Sequence, residues 1–162
     1  MKKEENGIMV EKPGKVFAHF KRGLPRLLIG IDPGSNCGFA SLIPGTKILC
    51  LHQFKSNIEA MFHCMRLAND WDIELTIEDA RKVVKNAYFA QKANRGKDQG
   101  VGYVKAYCKE WEAFCVLRGY QYQMISPKNT KMDESFFEKL TGKKTLKTQH
   151  HMRDAALLIF GK

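Results

Sequence analysis

Leu27-Leu28-Ile29-Gly30-Ile31-Asp32-Pro33-Gly34-Ser35 opens with four apolar residues in its first five, two of them β-branched, and then sets a carboxylate directly before Pro-Gly. This is the pattern of a buried strand whose end carries Asp32 to the sheet edge, where Pro33 and Gly34 force a turn. A carboxylate there is costly to bury unless something neutralises it. Asp32 alone reads equally well as the cap of its own turn. Acidic positions further along the chain separate the two readings.

Ile73-Glu74-Leu75-Thr76-Ile77-Glu78 alternates with period two and again ends in carboxylates, Glu78 and Asp79. Alternation places Glu78 on the face opposite Ile77 and Asp79 on the same side as Ile77, which favours Glu78 as the one facing a site. Between these strands, Cys37 to Ile43 and Lys47 to Phe54 read as two more, joined through Pro44-Gly45 as an antiparallel meander. Ile58, Met61, Phe62, Met65 and Leu67-Ala68 form a helical stripe, read as core packing.

A second amphipathic helix is predicted over 101–118, with Val101, Val104, Cys108, Trp111 and Cys115 inward and Gly119 ending it. Tyr120 to Ile125 is a fifth strand, and Ser126-Pro127 carries the signature of a short helical turn. Asp133 to Leu140 is a short helix stopped at Gly142. A last helix over Thr148 to Phe160 places His151 and Asp154, three apart, on one face. Residues 1–26 show little periodicity and read as a basic flexible arm ahead of one domain, 27–162. No repeat is visible.

The 162 residues carry a net charge of +10, unevenly spread. Residues 1–26 sum to +4, 27–80 to −4, 81–109 to +7 and 128–153 to +4. An acidic stretch between basic ones suits a cation-holding centre inside a polyanion-binding surface. The basic block supplies Arg81, Lys82, Lys85, Lys92, Arg95 and Lys97 with Tyr88 and Phe89 among them, and Lys128 and Lys131 follow the fifth strand. These are the candidate nucleic-acid contacts. Five cysteines without a C-x-x-C pair, no signal peptide and no membrane-length apolar run predict reduced thiols in a cytoplasmic protein. Cys50, His52, His63 and Cys64 do not have the spacing of a zinc site.

Asp32 and Glu78 at two strand ends, with His151 and Asp154 on a helix, are the candidate catalytic and metal-binding residues. Carboxylates brought that close raise each other's pKa, and divalent cations relieve the repulsion. Oxygen ligands with one imidazole suit Mg²⁺ or Mn²⁺. Two such ions activate a water and stabilise the leaving oxygen of a phosphodiester.

LLIGIDPGSNCGFA, then TIED followed by KNAYFA and GKDQGVGYV, then HHMRDAALLI, resemble in order the RuvC family of Holliday-junction resolvases, from about Leu27 to the end of the chain. The resemblance implies an α/β, RNase H-like fold: a five-stranded mixed sheet flanked by helices. It implies a homodimer that resolves branched DNA by paired, metal-dependent phosphodiester hydrolysis near the branch point. Asp32 and Glu78 match the family's strand-end acids, and Asp154 the second acid of its terminal D-x-x-D.

Two departures stand out. The first terminal acid is His151 here, and the aromatic that follows the family's catalytic Glu by three residues is Arg81, leaving Tyr88 or Phe89 to take that role. The chain looks more like divergent, phage-encoded members, with a broader appetite for forks and flaps. A two-fold dimer also suits symmetric cutting, and the second helix, with Tyr107 and Trp111, is a candidate for part of the contact, its apolar positions being equally explained by core. The competing readings are a branched-DNA binder that has lost catalysis and another RNase H-fold nuclease. An actin-like ATPase needs a duplicated domain that is absent here.

Overall fold

The computed structural model describes residues 15–16, 23–82, 95–127 and 131–162. The five expected strands form within about two residues of their sequence bounds: β1 (Arg26–Asp32), β2 (Cys37–Leu42), β3 (Leu49–Phe54), β4 (Asp72–Glu78) and β5 (Gln121–Ile125). They make a five-stranded mixed sheet in the order β3-β2-β1-β4-β5. The first three strands run antiparallel as a meander, and β4 and β5 run parallel to β1. Thr46 closes the meander turn through its amide and hydroxyl, both donating to the Ile43 carbonyl.

One part of the predicted arm departs from expectation. Lys15–Val16 pairs antiparallel with Gln123 and Tyr122, adding a short sixth strand at the β5 edge. An uncovered β5 would offer a row of unpaired backbone groups, and this segment occupies part of it.

Helices cover both faces. On one, α1 (Asn57–Asp70) and α2 (Arg95–Arg118) enclose Ile29, Ile31, Leu75 and Ile77. Ser56 caps α1 by accepting from the Glu59 amide at 3.2 Å. On the other face, α3 (Glu134–Thr141) and α4 (His150–Leu157) enclose Leu28, Ala40 and Leu49. Asp133 caps α3, and Gly142 ends it at φ 72°, the left-handed conformation that glycine takes without strain.

The element limits hold two corrections. α2 begins six residues before the predicted start, taking in Gly96 and Gly100. Each glycine weakens a helix by only about 1 kcal/mol, which the buried stripe lower down α2 outweighs. The last helix is shorter than predicted, a 3-10 turn at Lys147–Gln149 leading into α4. The short turn expected to open at Ser126-Pro127 falls on 128–130, outside the described residues.

Trp111, a candidate for the dimer contact, is fully buried in the core with Cys108 and Cys115. Its ring is part of what α2 packs onto the sheet, so it is not available to a partner. All five thiols are free: Cys37, Cys64, Cys108 and Cys115 are buried, and Cys50 is exposed. Burial pushes the four interior thiols up, away from the reactive thiolate. None of the described helices is long and apolar enough to cross a membrane.

Candidate active site

The parallel register of β1 and β4 pairs Ile31 with Ile77, so the next residues, Asp32 and Glu78, stand side by side at two adjacent strand ends. Alternation turns both away from the α1–α2 face, as predicted for Glu78. The opposite layer brings the other two candidates: α4 carries His151 and Asp154 across the same end of the sheet.

Glycine makes that approach possible. A Cβ built on Gly38, the partner of Asp32 in the β1–β2 ladder, would lie 2.0 Å from the His151 carbonyl oxygen. One built on Gly30 would lie 2.0 Å from the Ala155 carbonyl oxygen. Both glycines sit in strand interiors, where a missing side chain lets another backbone come close. With α4 seated this deeply, His151 Nδ1 reaches Asp32 Oδ2 at 2.6 Å.

The electrostatics follow from crowding. Burial first, then the charges of Asp32 and Asp154, push the Glu78 carboxyl from 4.5 up to about 7. Burial, and then Asp32, also raise Asp154. The hydrogen bond to Asp32 raises His151 above its ordinary value against the opposing effect of burial. His150 moves the other way, because burial and then the neighbouring His151 disfavour its charge. The two imidazole rings lie 4.0 Å apart between centroids. Lys131 stands within electrostatic reach of Glu78, His150, His151 and Asp154. Of the four predicted catalytic residues, Asp32 and His151 are in contact, and Glu78 and Asp154 lie within electrostatic reach of them.

Among the described residues, no three His, Cys, Asp or Glu side chains converge in a geometry that holds a metal ion. The donor chemistry does fit a divalent cation. Three carboxylates and an imidazole share one partly buried end of the sheet, and Glu78 and Asp154 are raised first by burial and then by mutual repulsion, which a cation would relieve. In this arrangement the His151 imidazole is the hydrogen-bond partner of Asp32.

No family model matches this chain, and no curated protein matches it.

The predicted nucleic-acid contacts divide into three groups. Lys85, Tyr88, Phe89, Lys92 and Lys128 lie outside the described residues, and Arg95 and Lys97 fall in the first turn of α2. Lys131 is exposed and borders the cluster. Arg81 is a correction: its guanidinium is committed to Asp79, with Nε to Oδ1 at 2.7 Å and Nη2 to Oδ2 at 2.8 Å, and to Glu112, with Nη1 to Oε2 at 2.6 Å. Its hydrogen bonds to Asp79 raise the guanidinium pKa, so it stays a cation held by protein carboxylates. Lys82 is exposed, and its ammonium donates to the Met124 carbonyl oxygen. Asp79, which had no predicted role, is buried; burial raises its pKa, but the Arg81 bonds outweigh this and hold the carboxyl below its usual range.

Four residues that shape the site were missed. Gly30 and Gly38 had a readable signal, since both interrupt strands. Asn57 and Arg153 had none. Arg153 is buried on α4, with Nε donating to the Met132 carbonyl at 3.0 Å and Nη1 to Thr145 Oγ1 at 3.0 Å and the Leu146 carbonyl at 2.8 Å. It ties the segments on both sides of α3 to the helix that carries His151 and Asp154. The histidines once weighed for zinc, His52 and His63, instead sit in a ring cluster with Phe39 and Phe54.

Proposed function

We propose that this chain is a metal-dependent endonuclease of the RuvC type that hydrolyses phosphodiesters in branched DNA, four-way junctions first and forks and flaps besides. The observation that carries the reading is the meeting of Asp32, Glu78, His151 and Asp154, drawn from residues more than a hundred positions apart, at one end of the sheet. The order β3-β2-β1-β4-β5, antiparallel then parallel, supports an RNase H-like fold. The charge of +10 supports a polyanionic substrate.

Asp32, Glu78, Asp154 and His151 would hold Mg²⁺ or Mn²⁺, two ions for a complete site. When bound, these supply activation of a water and stabilisation of the leaving oxygen. The chain's own residues do the rest. Asp32 fixes the His151 ring through Nδ1, which leaves Nε2 either to hold the cation or to take a proton beside the scissile phosphate. Burial, and then the charges of Asp32 and Asp154, raise Glu78 to about 7, and a cation held beside it would keep it ionised as a ligand. Lys131 offers a cation to the phosphate that enters the cluster. Water adds to phosphorus as the bond to the leaving oxygen breaks. Two such sites in a homodimer would nick two like strands of a junction. Reduced interior thiols suit a cytoplasmic setting, in a bacterial host if the chain is phage-encoded.

The pairing of His151 with Asp32 favours a second reading, a branched-DNA binder with weak catalysis. Nicking assays on junctions, flaps and RNA–DNA hybrids, in Mg²⁺ and in Mn²⁺, separate the readings. Asp32→Asn is expected to bind junctions as the parent does and to lose nicking. A parent protein that binds junctions and nicks none of them in either metal makes the binder the right reading.

A further inference from the structure

Asp32 and Glu78 are each followed by a turn, and both turns are held from the side of the sheet opposite α4. Asn57, buried at the start of α1, donates from Nδ2 to the Gly34 carbonyl at 3.1 Å, in the turn after Asp32. Its Oδ1 accepts from Trp111 Nε1 at 2.9 Å. The next residue along α2, Glu112, accepts from Arg81, which grips Asp79 in the turn after Glu78. The Asp79 amide donates to the Ile125 carbonyl at 2.7 Å, and the Arg81 amide to Asp79 Oδ1 at 3.0 Å. Cys108, one helical turn earlier, points its thiol at the Glu78 carbonyl at 3.6 Å.

We infer that this single turn of α2, through Trp111 and Glu112, is the positioning element that sets where Asp32 and Glu78 stand relative to each other. Directional bonds fix position in a way that apolar contact does not; the Asn57–Trp111 bond is buried, where a half-made bond is costly, and the Arg81–Glu112 pair is partly exposed. Here they are complete: among the described residues no buried side-chain nitrogen or oxygen lacks a partner. Neither Trp111 nor Glu112 touches a reacting group. One acts through Asn57 and the other through Arg81, so the same rigid helix turn indexes two strand ends that would otherwise be set only by their own ladder. The inference rests on Asp32 and Glu78 working together as proposed above.

Trp111→Phe keeps the ring and deletes the N–H; Glu112→Ala deletes the acceptor for Arg81; Glu112→Gln retains one. Hydrogen–deuterium exchange, junction nicking and junction binding are measured on each folded variant. Trp111→Phe is expected to speed amide exchange in residues 34–36 and leave 79–82 as in the parent, and Glu112→Ala to do the reverse. Each is expected to lower kcat by roughly ten- to a hundredfold, the cost of misplacing a reacting group by an ångström, with KM for the junction within about twofold. Glu112→Gln is expected to recover most of the loss. Exchange that is unchanged, or faster throughout the molecule, overturns the inference, as does a kcat equal to the parent's. A parent protein that nicks nothing sinks the nuclease reading instead, and the exchange pattern still shows whether α2 holds the two turns separately.

Discussion

Gly38→Ala tests how the candidate site is assembled, because its effect can be worked from one distance. The new Cβ would start 2.0 Å from the His151 carbonyl oxygen, and ordinary contact begins near 3.4 Å. The obstacle is backbone at the start of a helix, so no rotamer change relieves it. The first turn of α4 must therefore withdraw by about 1.4 Å, or β2 must yield by as much. A retreat of that size takes the 2.6 Å bond between His151 and Asp32 out of hydrogen-bonding range. Overpacking of this kind costs roughly 1–3 kcal/mol, or about 2–10 °C in Tm for a chain of this length. A displacement beyond an ångström at the reacting groups lowers kcat by about a hundredfold. Melting curves and junction nicking, each at saturating DNA and metal, read both effects. Gly102→Ala is the control, since its Cβ meets nothing within 4 Å on α2; it is expected to leave nicking alone and raise stability by about 0.5–1 kcal/mol. A Gly38→Ala protein that melts and nicks like its parent would refute the idea that close seating of α4 builds the site.

Without divalent cation, stability is expected to fall as pH rises through neutrality. A carboxyl raised from 4.5 to about 7 stabilises the fold fully below its ordinary value and loses that contribution as pH climbs through the raised one. The raised Asp154 and His151 act in the same direction. For Glu78 the full shift is worth roughly 3 kcal/mol, and about 1–2 kcal/mol after allowance for its partial exposure. Glu78→Gln should flatten the slope of Tm between pH 5 and 8, and Mn²⁺ should restore stability at pH 8 in the parent alone; parallel slopes would rule this out. His151→Asp should sustain or improve Mg²⁺-supported nicking, and unchanged metal preference in a titration would remove His151 from the ligands. Replacing Lys85, Lys92 and Lys97 together with Ala should weaken binding to many DNA structures and lower the salt slope by up to about three. An unchanged slope in a salt titration would take that block off the DNA path.

The parts of this molecule that could be read in the sequence are those written in local period. Two strands ending in carboxylates, and a His-x-x-Asp helix, needed only alternation and spacing to be recognised. The neighbouring of β1 and β4 was then enough to join Asp32 to Glu78. What escaped was written across distance. Arg81 read as part of a basic run because its partner Glu112 lies on another helix, and composition does not encode that pairing. Asn57 carries no local signal of a role, yet it bridges a strand-end turn to Trp111. The start of α2 was hidden by Gly96 and Gly100, which argue for loop locally and are overruled by packing further down.

The distribution of thiols gives this protein a natural chemical handle. Cys50 alone faces solvent on β3, while the other four are enclosed and held protonated. A maleimide dye added to the native protein would therefore attach at one position without any engineered change. The same reagent under denaturing conditions would count five, so the ratio of early to late labelling times how often the whole interior opens.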